Sequence, residues 1–470
     1  MFSAHLATSV AAPGVSDATR GYGAVQSYRQ VLVVECRGEG GDVPVPELAP
    51  VYDGRPWALS TRWDDSNPNA LNIRRKMLEN GIRGTFYLNS RQPETAPEAL
   101  ACKLSANAEC SVGGHSVSHP HLQELSANAS FHELVANRIT LECLTDRPVN
   151  SLAFPYGGDQ EKDRPDVLQG ITEAFLRAGY HHCVYSGFVL HNTHLPEGLV
   201  TTGVQVVPGD RQVNAAEFWV TMDKIKGAEA GYRKTSDCIF LGVHPWQQGE
   251  ELERLGEVMG KLRNWSDFWY CTQTEYAAFA KQRHATTVIK ATDTTFALER
   301  PCAYDLGNDI PLTLIFPGGT VVSATVDGVE CTVRQAEGIS IVNVPHTGQH
   351  GVPVKIDAAT DGVSSEFPDL KPTLQFDRDT GAISFSLANA GPTALDDVVL
   401  TVSGPPAFDP GMLRRRQATV AAGTEWSVAA TVSVAREGSY WRDGEAYVAA
   451  QLDFVLKGER GRLFAICVVP

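Results

Sequence analysis

Two histidines, His115 and His119, lie four apart in Gly113-Gly114-His115-Ser116-Val117-Ser118-His119-Pro120-His121-Leu122, and two acids, Asp64 and Asp65, precede them by about fifty residues. Imidazoles at i and i+4 share one face of a helical turn and can reach one point, and a carboxylate brought in from elsewhere would complete a three-ligand divalent metal site. Such a set leaves positions open for water and substrate, unlike a four-ligand structural site, so the pattern is catalytic in kind. With 13 His in 470 residues, chance supplies roughly 0.4 pairs at this spacing, so the pair gains meaning only from its context.

That context is a series of strands, each followed by a chemical cluster. Ala58–Trp63 reads as a strand ending on the acid pair, and Ser111-Val112-Gly113-Gly114 leads into the histidines. Ser151–Phe154 runs into Pro155-Tyr156-Gly157, and Cys238–Val243 into His244-Pro245-Trp246. Between them the apolar spacing predicts helices over 69–80, 122–144, 165–178 and 251–263, with Gly81 as a C-cap, and further strands at Gly84–Leu88 and 268–272. Alternating strands and helices imply a parallel sheet, open or closed into a barrel, whose strand C-termini gather on one face. All four clusters point to that face.

After about Thr286 the helical periods give way to short strands separated by turn dipeptides such as Asp327-Gly328 and Thr380-Gly381, the pattern of β-sandwiches. The expected division is a leader with a short strand over 1–48, a strand–helix domain over 49–284, a small β-domain over 285–358 and a β-sandwich over 359–470. The formal charge of −15 argues against nucleic acid or an anionic membrane as partner, and no apolar run is long enough to span a bilayer. Residues 1–16 lack both a basic n-region and a continuous apolar h-region. They read as a disordered leader, a processed remnant or a poor signal, and the compartment stays open with an extracytoplasmic one favoured. Ten scattered Cys without a CxxC read as buried thiols more readily than as disulfides.

Trp63-Asp64-Asp65, Gly113–Leu122, Phe154-Pro155-Tyr156-Gly157 and Val243-His244-Pro245, in this order and with Gly84-Thr85-Phe86-Tyr87 after the first helix, resemble the polysaccharide deacetylase family, the NodB-homology carbohydrate esterases. The resemblance covers roughly residues 55–283 and is to a divergent branch with a Phe-Pro-Tyr-Gly third motif. It implies an α/β fold, a distorted (β/α) barrel, here followed by two β-sandwich-like domains, and a metal-dependent hydrolase that removes acetyl groups from N-acetylated or O-acetylated carbohydrate. Carried over, Asp65, His115 and His119 would hold a divalent metal, with zinc expected, and Asp64 would be the general base. Tyr156 would offer its backbone N–H to the oxyanion, and His244 would protonate the leaving group. Pro155 and Trp246 are the expected substrate contacts. Trp246, Trp269 and Tyr185 could wall a sugar groove or serve as core aromatics, as could Trp426, Tyr440, Trp441 and Tyr447 in the C-terminal domain. His181, His182, His191 and His194 lack a nearby carboxylate pattern and read as core or surface residues.

Two departures bear on mechanism. Ser66 stands where the family has Gly, and Ala153 stands where many members carry an Arg beside the catalytic acid. Without that cation the basicity of Asp64 should rise, unless Arg62 or Arg147 supplies the charge from another position. Three other readings compete: a non-haem iron oxygenase triad, a catalytically weak glycan-binding protein on the same barrel, and a hydrolase of another amide-like bond.

Overall fold

Strand β1 (Trp57–Asp64) is buried along all eight residues, as a strand of a parallel sheet covered on both faces is. The computed structural model describes residues 26–37, 42–90, 101, 103–157, 165–184, 200–202, 204–205, 208–227, 237–352, 354–359, 362–403, 408–409, 412–434 and 446–469. The other strands of the first sheet are β2 (Gly84–Leu88), β3 (Cys110–Gly114), β4 (Ser151–Ala153), β5 (His182–Val184), β6 (Val200–Thr202), β7 (Val204–Gln205), β8 (Cys238–Leu241) and β9 (Phe268–Tyr270). Their order is β6-β5-β4-β3-β2-β1-β8-β7, with β9 also on β1 and all pairs parallel. Among the described residues the edge strands β6 and β7 are not paired with each other.

Helices α1 (Ala70–Glu79), α2 (Ala127–Thr145), α3 (Pro165–Arg177), α4 (Ala215–Lys226) and α5 (Glu250–Leu262) connect the strands. On α5 the buried residues Leu252, Leu255, Val258, Met259 and Leu262 form one stripe, the period that identified the helix in the sequence. The segment expected as one helix from Leu122 instead makes a short 3-10 turn, Leu122–Glu124, before α2 starts after Ser126, whose side chain accepts the Ala129 N–H. Helix α4 was not expected, nor was a sixth helix, α6 (Gln273–Ala285). Except for the half-buried Glu275, α6 is buried from Gln273 to Gln282, and it packs across β1 to β6. It therefore shows no apolar stripe, but its capping box of Thr272 and Glu275 is a sequence signal.

The N-terminal strand Ser27–Cys36 does not stand apart with a leader. It lies between Thr295–Pro301 and Val321–Val326, with Leu32 opposite both Phe296 and Val326 in the core of the first sandwich. Glu47–Leu48 adds to the facing sheet through Leu312–Pro317. Lys355–Ala359, read as the end of that domain, pairs instead with Glu459–Val469 of the second sandwich. The second sandwich docks on the barrel through Ile356, Ala449 and Phe464. Polar contacts reinforce the seam: Arg138 of α2 donates to Gln451 and Arg462 to Glu142, both at 3.0 Å. None of the nine described cysteines is in a disulfide, and seven of them are buried. No described helix is long and apolar enough to cross a membrane.

Candidate active site

The end of β1 delivers two carboxylates to one place because the chain turns there. Asp64 is buried, and its N–H donates to the Val243 carbonyl at 2.6 Å, tying β1 to the loop after β8. Asp65 takes a left-handed φ of 69°, a conformation Asp tolerates better than most residues, so its carboxylate swings to the same side. The expectation of an Asp64 without a cation is corrected here. Arg62 lies on the same face of β1, two residues earlier, and its Nε donates to Asp64 Oδ1 at 2.8 Å and Oδ2 at 3.0 Å, with Nη2 also on Oδ2. The positive charge that the Ala153 position lacks is thus supplied to Asp64 by a guanidinium from β1 itself. Arg147 is elsewhere, donating to the Asn107 and Cys110 carbonyls.

The histidines do not sit on a helical turn. Residues 115–121 form a loop with left-handed φ at Ser116 (65°) and His119 (58°), wrapped around a buried carboxylate from α2. Glu133 accepts the N–H groups of Val117 and Ser118, each at 2.9 Å, and the Ser118 hydroxyl at 2.7 Å. The His119 N–H donates to Ser116 Oγ at 3.0 Å. His115 Nδ1 lies 2.6 Å from the Ala153 carbonyl. Since a carbonyl only accepts, Nδ1 carries the proton and Nε2 keeps its lone pair for the site. Gly114 is required beneath this loop, because a Cβ there would fall 2.1 Å from the Tyr180 hydroxyl and 2.7 Å from Asn137 Oδ1, the atom that accepts the His115 N–H at 3.1 Å.

These constraints bring His115 Nε2 and His119 Nε2 each to 3.4 Å from Asp65 Oδ1, with one ligand atom from each residue within 4.8 Å of the others. Asp65 Oδ1 is buried and has no hydrogen-bond donor of standard geometry. An orphaned carboxylate oxygen facing two imidazole nitrogens is a donor set that fits a divalent ion. Burial alone would raise the Asp65 carboxyl, but the two imidazoles facing it, His115 and His119, hold it well below the usual carboxylate range.

His244 faces the triad from the opposite wall, its Nε2 4.0 Å from Asp65 Oδ2. Asp210 orients it, accepting from the His244 N–H at 3.2 Å and lying 2.9 Å from Nδ1. Burial would lower the imidazole, but the Asp210 contact and the charges of Asp64, Asp210 and Asp65 raise it above the ordinary histidine value. Gln247 holds the Asp210 loop by donating to the Gly209 and Asp210 carbonyls at 2.8 and 2.9 Å.

Trp246 stacks on His244 at 3.9 Å, and the Arg211 guanidinium lies 4.7 Å over the same indole. Trp246 thus carries both the His244 imidazole and the Arg211 guanidinium against its ring system. Tyr156 is 60% exposed, has φ of 55° and stacks on His121 at 3.9 Å. Its N–H meets no acceptor among the described residues. Pro155 is buried under that turn. Trp269 packs against Tyr52 and Phe279, away from the site. His181 and His182 are buried, and Trp426 packs in the second sandwich. Tyr185, His191, His194, Tyr440, Trp441 and the Tyr447 side chain lie outside the described residues.

Two supporting residues had gone unread, Asp210 and Glu133, and Arg62 had been only one of two alternatives. The i, i+2 spacing of Arg62 and Asp64 on a strand is a usable signal. Nothing local marks Asp210 or Glu133, since each is joined to its partner only by the fold.

Residues 55–170 match the model of the polysaccharide deacetylase family. No curated protein matches the chain. Among solved structures, a Mycobacterium smegmatis protein assigned as a polysaccharide deacetylase is similar at 13% identity and a TM-score of 0.37, over 50% of this chain and 94% of that one. Peptidoglycan deacetylase PdaC from Bacillus subtilis is similar at 17% identity and 0.32, over 50% and 96%. A family 4 carbohydrate esterase from Streptomyces lividans is similar at 15% identity and 0.29, over 44% and 88%.

Proposed function

We propose that the polysaccharide deacetylase domain of this chain is a metal-dependent hydrolase that removes acetyl groups from an N-acetylated or O-acetylated carbohydrate. One observation carries the reading: Asp65, His115 and His119 converge on one point, with Asp64 beside it on β1 and His244 across it. A divalent ion held by that triad, zinc by the chemistry of two imidazoles and a carboxylate, would polarise the acetyl carbonyl and acidify a water.

The remaining work falls to the chain's own residues. Asp64, not needed as a ligand, takes the proton from the attacking water, and Arg62 holds its carboxylate in place. The Tyr156 N–H faces the developing oxyanion, a type of donor worth about 3–4 kcal/mol. His244, kept protonated toward higher pH by Asp210, gives its proton to the departing amine or alcohol. The exposed Tyr156 ring beside the triad supplies a face for a sugar.

Metal-reconstituted protein should release acetate from at least one member of a panel of N-acetylated and O-acetylated oligosaccharides and peptidoglycan fragments. Release should vanish in Asp64→Asn. No release from any member by folded, metal-loaded protein would overturn the reading.

A further inference from the structure

The starts of β2, β3 and β4 meet at the end of the barrel opposite the triad, since β3 runs from Cys110 there to Gly114 next to His115. Between these strand starts and the first turn of α6 lies a cavity of about 260 Å³. The loop after the short helix Ala303–Leu306 borders one side of it. Gly307 in that loop has φ of 74° and lies so near the barrel that a Cβ would fall 2.9 Å from Pro148 Cβ. Asn308 Nδ2 then donates to the Thr274 carbonyl at 3.2 Å, so the cavity is framed by two distant parts of the chain.

The charged side chains among its lining residues are Arg83, Arg147 and Glu275. Arg83 and Glu275 close on each other, Nε to Oε2 at 3.1 Å and Nη2 to Oε1 at 2.6 Å. Glu275 Oε2 also accepts the Thr272 N–H at 2.8 Å, so this pair is neutral and occupied. Arg147 is left over. Its Nη1 reaches the Asn107 and Cys110 carbonyls at 3.3 and 3.5 Å, and its Nε and Nη2 meet no acceptor among the described residues. Burial pushes the Cys110 thiol up to about 11, although Arg74 and Arg83 pull it down, so no thiolate cancels the guanidinium. Thr145, Thr272 and Thr274, each more than nine-tenths buried, add uncharged polar walls, and Ala108, Val112 and Pro148 add apolar ones.

A guanidinium with two open donors presents a planar fork that matches the two oxygens of a carboxylate. One uncancelled charge balances a monoanion, whereas a dianion would bring a second charge into the cavity without a partner. We propose that this cavity is a binding site for a small organic carboxylate, held by Arg147 with its short hydrocarbon part against Ala108, Val112 and Pro148. It is separate from the metal point and does not depend on the reaction there.

Butyrate, its neutral counterpart butyramide and inorganic phosphate are titrated calorimetrically at constant ionic strength into the full zinc-loaded chain, and into Arg147→Gln, Arg147→Lys and His115→Ala. Thermal unfolding verifies the fold of each variant, and His115→Ala excludes a carboxylate taken up by the metal. Butyrate should saturate a site that His115→Ala keeps and that Arg147→Gln weakens at least about tenfold, the effect of losing a hydrogen bond to a charged group. Arg147→Lys, which keeps the charge without the fork, should fall between. Butyrate affinity unchanged in Arg147→Gln, or no saturable binding in His115→Ala, overturns the site. Butyramide binding as tightly as butyrate, or phosphate more tightly, overturns the carboxylate assignment.

Discussion

Arg62 and Asp64 sit two residues apart on one strand and close on each other, with Arg62 Nε 2.8 and 3.0 Å from the two carboxylate oxygens. Both are buried. The cation that the Ala153 position lacks is therefore built into β1, where the period of the strand places it without help from any loop.

Removing the cation alone should be costly. Arg62→Met leaves Asp64 as a buried, unpaired carboxylate, and the expected loss is about 3–5 kcal/mol. Arg62→Met/Asp64→Asn should recover much of it, because the uncompensated charge is gone. Chemical denaturation of the two single variants and the double variant measures the coupling, and a loss below about 1 kcal/mol in Arg62→Met would mean that solvent already screens the pair.

The Asp210–His244 contact predicts a pH effect. Burial pushes the imidazole down, and the Asp210 hydrogen bond with the surrounding carboxylates carries it up overall. A raised value in the fold means that protonated His244 stabilises the protein below its unfolded-state value, a contribution lost as pH rises through the folded-state one. If His244 acts as the acid, the alkaline limb of kcat/KM reports its deprotonation. Asp210→Asn should move that limb to lower pH, and an unmoved limb would remove His244 from the acid role.

Glu133 binds the histidine loop through three donors at 2.7–2.9 Å without touching the metal point. Glu133→Gln keeps the size but turns part of the acceptor into a donor facing backbone N–H groups. Metal affinity should fall about 10–100-fold, the usual effect of losing support behind a ligand, while the far-UV circular dichroism is retained. Chelator competition reads this directly, and unchanged affinity would show that the loop holds its shape unaided.

The sequence marked the candidate site residues better than the groups that support them. Asp64, Asp65, His115 and His244 were readable because each closes a strand or follows closely on one, and strand C-termini meet on one face of a parallel sheet. The helical turn for His115 and His119 failed because i, i+4 spacing is equally compatible with a loop folded over Glu133. Asp210 and His244 are 34 residues apart, and their pairing depends on adjacent β7 and β8. The strand Ser27–Cys36 was visible as an apolar run, but its partner Thr295–Pro301 lies about 270 residues away, and no local pattern reports such a pairing. Helix α6 escaped because burial on nearly every side erases the stripe that identifies α5.

The central claim is tested most directly by metal stoichiometry. Elemental analysis of the full chain after equilibration with zinc and removal of excess should give one ion per chain in the wild type. In folded His115→Ala it should give almost none, because two remaining protein ligands no longer define the site. One tightly held ion per chain in His115→Ala would contradict the account.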